Sequence, residues 1–73
     1  MKDIFINKEQ VELFKILKFE GIASSGAEAK DLIASGLVLV NGAIEKQKRK
    51  KMIAGDTIEL NGEIFRLKLD TTL

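Results

Sequence analysis

Two Asn-Gly pairs, Asn41-Gly42 and Asn61-Gly62, constrain the folding of this chain more than any other feature. Both residues of such a pair tolerate positive φ, which a two-residue hairpin turn demands. The first pair joins Leu37-Val38-Leu39-Val40 to Ala43-Ile44-Glu45. The second joins Thr57-Ile58-Glu59-Leu60 to the segment from Glu63 to Leu69. In that last segment Phe65, Leu67 and Leu69 alternate with Ile64, Arg66 and Lys68, the two-residue period of a strand. Ala54-Gly55-Asp56 marks a further turn, and Asp70-Thr71-Thr72-Leu73 reads as a frayed end. The second half of the chain is therefore two antiparallel hairpins.

The first half has helical spacing. Ser25-Gly26-Ala27-Glu28 is a capping box, in which Ser25 caps a helix and Glu28 reaches back. Leu32 and Ile33 give that helix its buried face, and Gly36 ends it. Upstream, Asn7 and Gln10 offer a second capping arrangement, with Ile6 and Val11 placed to close a hydrophobic staple. The spacing predicts a helix through Leu13, Phe14, Ile16 and Leu17 to Gly21. The expected class is α+β: two N-terminal helices packed on one face of a small antiparallel sheet of two hairpins. The 73 residues are expected to form a single domain.

Composition narrows the chemistry. The chain has no Cys, His, Trp, Tyr or Pro. It therefore has no disulfide, no thiol nucleophile and no imidazole base or metal ligand. The carboxylates are scattered, so no metal, no cofactor, no catalytic residue and no small-molecule substrate is expected. A domain this small, without a covalent or metal staple, is stable by about 3–5 kcal/mol and has little room for an enclosed active site. The longest purely apolar run is four residues, too short to span a membrane. Met1-Lys2-Asp3-Ile4-Phe5-Ile6 lacks the apolar core of a signal peptide. The expectation is a monomeric, cytoplasmic binding module that is not an enzyme.

The formal net charge of +1 conceals an uneven distribution. Residues 46–51 read Lys46-Gln47-Lys48-Arg49-Lys50-Lys51 and carry +5, while the segments on either side each carry −2. Five cations in six residues repel one another, and a polyanion relieves that repulsion. A solvated loop that aids solubility would have the same composition. So would a site for an anionic membrane surface or an acidic protein partner. On the first helix Lys15 and Lys18, with Lys8, fall on one stripe, and Lys30 is a basic position on the second. Ser25 is foremost a cap, although the Ala23-Ser24-Ser25-Gly26 turn could meet a phosphate at the helix start. Phe14 and Phe65 lie on core faces. Of the four phenylalanines, Phe5 included, that could stack on bases, Phe19 falls off the apolar stripe and is the one plausible exposed candidate, yet packing is the expected role for it too.

The ordered set Gly21-Ile22-Ala23-Ser24-Ser25, Glu28-Ala29-Lys30, Ile33, Gly36, Val38, Val40-Asn41-Gly42 and Gly55-Asp56-Thr57-Ile58 resembles the RNA-binding domain named after ribosomal protein S-four, the alpha-L motif. The small stand-alone bacterial subgroup of the YbcJ type is especially similar, through Leu17-Lys18-Phe19-Glu20-Gly21, Gly42-Ala43-Ile44-Glu45 and Lys48-Arg49-Lys50-Lys51. The resemblance implies a motif core at about 12–60, a C-terminal β extension over 61–69, and binding of structured RNA of the ribosomal or transfer class. In the family an Arg usually opens the first helix and another follows the capping Ser; here Glu12 and Gly26 stand at those places. The residues expected to meet RNA are Lys15, Lys18, Ser25, Lys30, Lys46, Lys48, Arg49, Lys50 and Lys51.

Overall fold

The computed structural model describes residues 1–70. The chain begins with strand β1 (Lys2–Ile6), followed by a two-residue strand β2 (Val11–Glu12) and helices α1 (Leu13–Phe19) and α2 (Gly26–Ala34). Strands β3 (Leu39–Val40), β4 (Ala43–Ile44), β5 (Lys51–Met52), β6 (Thr57–Leu60) and β7 (Glu63–Leu69) follow. Five strands form one sheet in the order β1-β7-β6-β3-β4, and β2 pairs with β5 apart from it.

Both expected hairpins are present. β3 pairs antiparallel with β4, and β6 with β7. Asn41 and Gly42 have φ of 52° and 85°, and Asn61 and Gly62 have 54° and 78°. All four residues of the two turns thus lie in the left-handed region, where a right-twisted two-residue hairpin closes without splaying its strands. The Asn41 side chain ties the two hairpins together. Its Oδ1 accepts from the Thr57 N–H at 2.9 Å, and its Nδ2 donates to Asp56 at 3.1 Å. The other oxygen of Asp56 accepts from the Ile53 N–H at 3.0 Å.

The N-terminal segment departs from expectation. Ile6 does not staple a helix to Val11; Ile4 and Ile6 are the buried side of β1, which runs parallel to β7 with Ile4 opposite Leu67 and Ile6 opposite Leu69. The sheet is consequently mixed rather than antiparallel, and a strand precedes the helices. The Asp70 N–H extends this ladder to the Ile6 carbonyl at 2.7 Å, so Asp70 is not frayed; Thr71 to Leu73 lie outside the described residues. Lys2–Glu63 and Lys68–Asp3 ion pairs, at 3.0 and 3.1 Å, cross the same strand pair.

Helix α1 starts at Leu13, not near Asn7, and its N-cap residue Glu12 makes no side-chain cap. Lys8 is therefore in the preceding loop rather than on the helix. The caps of α1 come from afar, as described below. Helix α2 carries its own cap: the Glu28 N–H donates to Ser25 Oγ at 3.1 Å. The Glu28 carboxylate reaches one residue further back than a standard capping box, accepting from Ser24 N–H and Ser24 Oγ, both at 3.0 Å. Leu13, Ile16, Leu17, Ala29 and Ile33 from the helices meet Val38, Met52, Ile58 and Leu67 in one apolar core.

Candidate nucleic-acid interface

The basic run is anchored by its backbone. Helix α1 leaves its first N–H groups without intrahelical partners. The Leu13 N–H donates to the Lys50 carbonyl at 2.9 Å, and the Phe14 N–H to the Lys48 carbonyl at 3.1 Å. A turn closed by Lys50 N–H to Gln47 O at 3.2 Å shapes the loop, and Glu45 holds its entry through the Gln47 N–H at 3.0 Å. Its exit is strand β5, where Lys51 pairs with Glu12 and fully buried Met52 with Val11. The chain thus spends its carbonyls on the helix, and the side chains of Lys48, Arg49 and Lys51 are left exposed, with Lys50 half-buried.

Cations from three separate segments surround one ring. Phe14 is half-buried at the start of α1. Lys30 Nζ of α2 lies 4.7 Å from its centroid, Arg49 Cζ of the loop 5.1 Å, and Lys15 Nζ of α1 6.0 Å. The negative face of an aromatic ring attracts such cations and holds them in place while their charges remain accessible. Gly26 abuts the same ring, and the stem of Lys18 passes beside it: a Cβ on Gly26 would lie 3.8 Å from Phe14 and 4.0 Å from Lys18 Cδ. Lys15, Lys18, Lys30 and Arg49 therefore share one face of the two-helix pair.

Glu12 tethers two of them. Its carboxylate, with the side chain only 14% exposed, takes Lys15 Nζ at 3.0 Å and Arg49 Nη1 at 3.2 Å. The Lys15 hydrogen bond foremost, and then that of Arg49, holds the Glu12 carboxyl below the usual carboxylate range. The residue standing where the family usually has an arginine thus positions an arginine supplied by the loop.

The other expected residues are distributed around this centre. Ser25 acts as the α2 cap, and its hydroxyl oxygen is engaged by Glu28. Lys46 is set apart at the far end of α2: a Cβ on Gly36 would lie 3.6 Å from Lys46 Cε and 3.8 Å from Ile44. Three aromatic residues differ from the packing expected of them or from any role assigned to them. Phe14 serves as the platform under the cations, and nothing local in the sequence distinguishes that from simple burial. Phe19 is 70% exposed rather than packed, and Phe5 is 60% exposed because it points away from the buried side of β1. The strand alternation of Ile4-Phe5-Ile6 was the signal for the last of these. Among the described residues there is no cluster of acidic side chains suited to hold a metal, and no helix is long and apolar enough to cross a membrane.

Comparison with known proteins agrees with this architecture. The chain is 52% identical over 52 residues to the YbcJ protein of Escherichia coli, covering 71% of this chain and 74% of that protein. It is 32% identical over 59 residues to a Bacillus subtilis protein named a probable ribosome maturation protein, RlbA, covering 81% and 83% of the two chains. The solution structure of Escherichia coli YbcJ, described as an alpha-L motif involved in RNA binding, superposes with a TM-score of 0.70 at 42% identity, over 93% of this chain and 87% of that one. Ribosomal protein S4e of the 30S subunit of Thermoplasma acidophilum gives a TM-score of 0.69 at 31% identity, over 82% of this chain but 32% of its own length. The family model of the S4 domain matches residues 4–68, a span that takes in β1 and β7 as well as the helix pair, and the chain belongs to the S4 domain family.

Proposed function

We propose that this chain is a non-catalytic RNA-binding module, residues 1–73 acting as one unit, that grips structured RNA through the strip formed by Lys15, Lys18, Lys30, Lys48, Arg49, Lys50 and Lys51. The observation that carries the reading is the convergence of Lys15, Lys30 and Arg49, from three segments, over the ring of Phe14. A solvated loop kept only for solubility has no need of that convergence.

The geometry suits phosphates held in a fixed array. The two backbone hydrogen bonds from α1 fix the loop, and the Glu12 carboxylate and the Phe14 ring restrict Arg49 and Lys15 before RNA arrives. Less side-chain freedom is then lost on binding. When a phosphate approaches, Arg49 can exchange its carboxylate partner for the phosphate without leaving the ring. Phosphate contacts of this kind position a protein on its target, so recognition is chiefly of RNA shape. That the YbcJ relative carries a motif described as involved in RNA binding supports an RNA ligand, and the name of the RlbA relative supports the ribosomal over the transfer class. The module acts as a monomer in the cytoplasm.

The test is fluorescence anisotropy with a ribosomal-RNA hairpin, a transfer RNA and anionic phospholipid vesicles, each titrated with the whole protein. The expected result is saturable RNA binding that exceeds vesicle binding at equal salt. Equal or tighter association with the vesicles would overturn the proposal in favour of a membrane surface.

A further inference from the structure

Beside the basic strip lies an open groove of about 610 Å3, between β1, the loop that follows it and α1. That volume is within the usual range for clefts that take small ligands, about 300–1,000 Å3. Both strongly exposed phenylalanines, Phe5 from β1 and Phe19 from the end of α1, line this one groove. Two large, exposed apolar residues that border one concavity mark it as a binding surface. It is continuous with the strip, because Glu12, Lys15 and Lys51 border both.

We infer that this groove receives an unpaired nucleobase of the RNA held on the strip, stacked on Phe5 or Phe19; the inference rests on the RNA-binding reading. The charge of the groove decides what enters it. Its three lysines, Lys8, Lys15 and Lys51, face three carboxylates, Glu12, Glu20 and Asp70. A balanced wall of this kind gives a phosphate little gain but suits a neutral base with polar edges. Asn7 and Gln10 present both amide donors and acceptors there, and the Glu20 carboxylate can accept from an exocyclic amino group or ring N–H. The phosphates on either side of the flipped base stay on the strip, within reach of Lys51 and Lys15. Single-stranded nucleic acid is held elsewhere by this pairing of cationic track and stacking ring. The groove thus assigns a preference within the RNA class: a helix with an unpaired nucleotide at its end or in a bulge, over a blunt duplex.

The experiment compares a blunt RNA hairpin with the same stem carrying a short unpaired extension at the 5′ or the 3′ end, 2-aminopurine replacing one extension base. The wild-type protein is expected to bind one extended hairpin about 5- to 150-fold more tightly than the blunt one, with quenching of the 2-aminopurine fluorescence. Phe19→Ala, alone and with Phe5→Ala, is expected to abolish that gain. It should leave the salt dependence of blunt-hairpin binding unchanged, because stacking releases no counterions and Lys18, whose Nζ lies 5.8 Å from the Phe19 ring, keeps its charge. Equal affinity of the wild type for blunt and extended hairpins, or a gain that survives in the double variant, overturns the groove assignment. A second measurement is independent of the strip. A five-nucleotide single strand at millimolar concentration is expected to shift the Phe5 and Phe19 ring resonances of the wild-type protein. Unmoved rings would assign the groove to a protein partner instead, whereas loss of blunt-hairpin binding with moving rings would count against the strip alone.

Discussion

Replacing Lys48, Arg49 and Lys50 together by alanine separates the two jobs of the basic loop. Their backbone carbonyls cap α1 at 2.9 and 3.1 Å, and alanine retains a carbonyl. The side chains alone are removed. The ion pair lost is Arg49 with Glu12, at a guanidinium side chain that is 63% exposed, worth about 0–1 kcal/mol. The ring contact of Arg49 with Phe14 adds about 0.5–1 kcal/mol at such a site. Unfolding free energy should therefore fall by roughly 1 kcal/mol and not beyond about 2. RNA binding should change far more. With five of the strip's seven cations each neutralising a phosphate, the slope of log K against log salt is near about −4.5 on a duplex, and removing three of those cations takes away about 2.7 of it. Arg49 is already partnered by Glu12, so its phosphate contact replaces one anion by another, and the loss should lie closer to two units than to three. Between 50 and 200 mM salt the wild-type affinity should drop roughly 500-fold, and that of the variant roughly 20- to 40-fold. Anisotropy titrations at four or five salt concentrations measure both slopes, and circular dichroism confirms the fold. A folded triple variant with the wild-type affinity and slope would refute the strip as the binding surface.

Three further outcomes are expected. A Cβ at Gly42 meets no atom within 4 Å, so the cost of Gly42→Val comes chiefly from the φ of 85° imposed on a β-branched residue; it should lower stability by about 1 kcal/mol or more, and an unchanged Tm would contradict the turn geometry. Met52→Ala hollows the core directly beneath the basic loop, where Met52 is fully buried, and urea unfolding should show a loss of about 2–5 kcal/mol; a loss under about 1 kcal/mol would mean that β5 does not pack as described. Glu12 binds its proton less tightly when folded than when unfolded, so its contribution to stability is complete above the ordinary carboxylate value and fades as pH falls through its lowered folded value. Glu12→Gln should flatten the acid limb of the Tm profile, and an acid limb identical to that of the wild type would show that Glu12 is not the group holding Lys15 and Arg49.

Several elements were legible because their physics is local. The two Asn-Gly turns need positive φ at residues that tolerate it, and all four residues have it. The α2 start needs an acceptor for its own N–H groups, and Ser25 supplies one three residues before Glu28. The basic run was legible as charge. The start of α1 was not, because its caps are the carbonyls of Lys48 and Lys50, contributed from the other half of the chain. Asn7 and Gln10 looked like a cap only because a local pattern was the sole candidate in sight.

Strand β1 shows the same division. Ile6 fits either a strand or a staple with Val11, and a parallel partner can be recruited from any distance along the chain, so only the pairing of Ile4 and Ile6 with Leu67 and Leu69 settles it. By itself, the sequence determined the hairpins, the second helix, the absence of imidazole and thiol chemistry, and the presence of five clustered cations. Tertiary structure alone decided where those cations point. A side chain's neighbours across space depend on packing that no short window encodes, and it is packing that seats Lys30, Arg49 and Lys15 around Phe14, ties two of them to Glu12, and carries Lys46 away to the far end of α2.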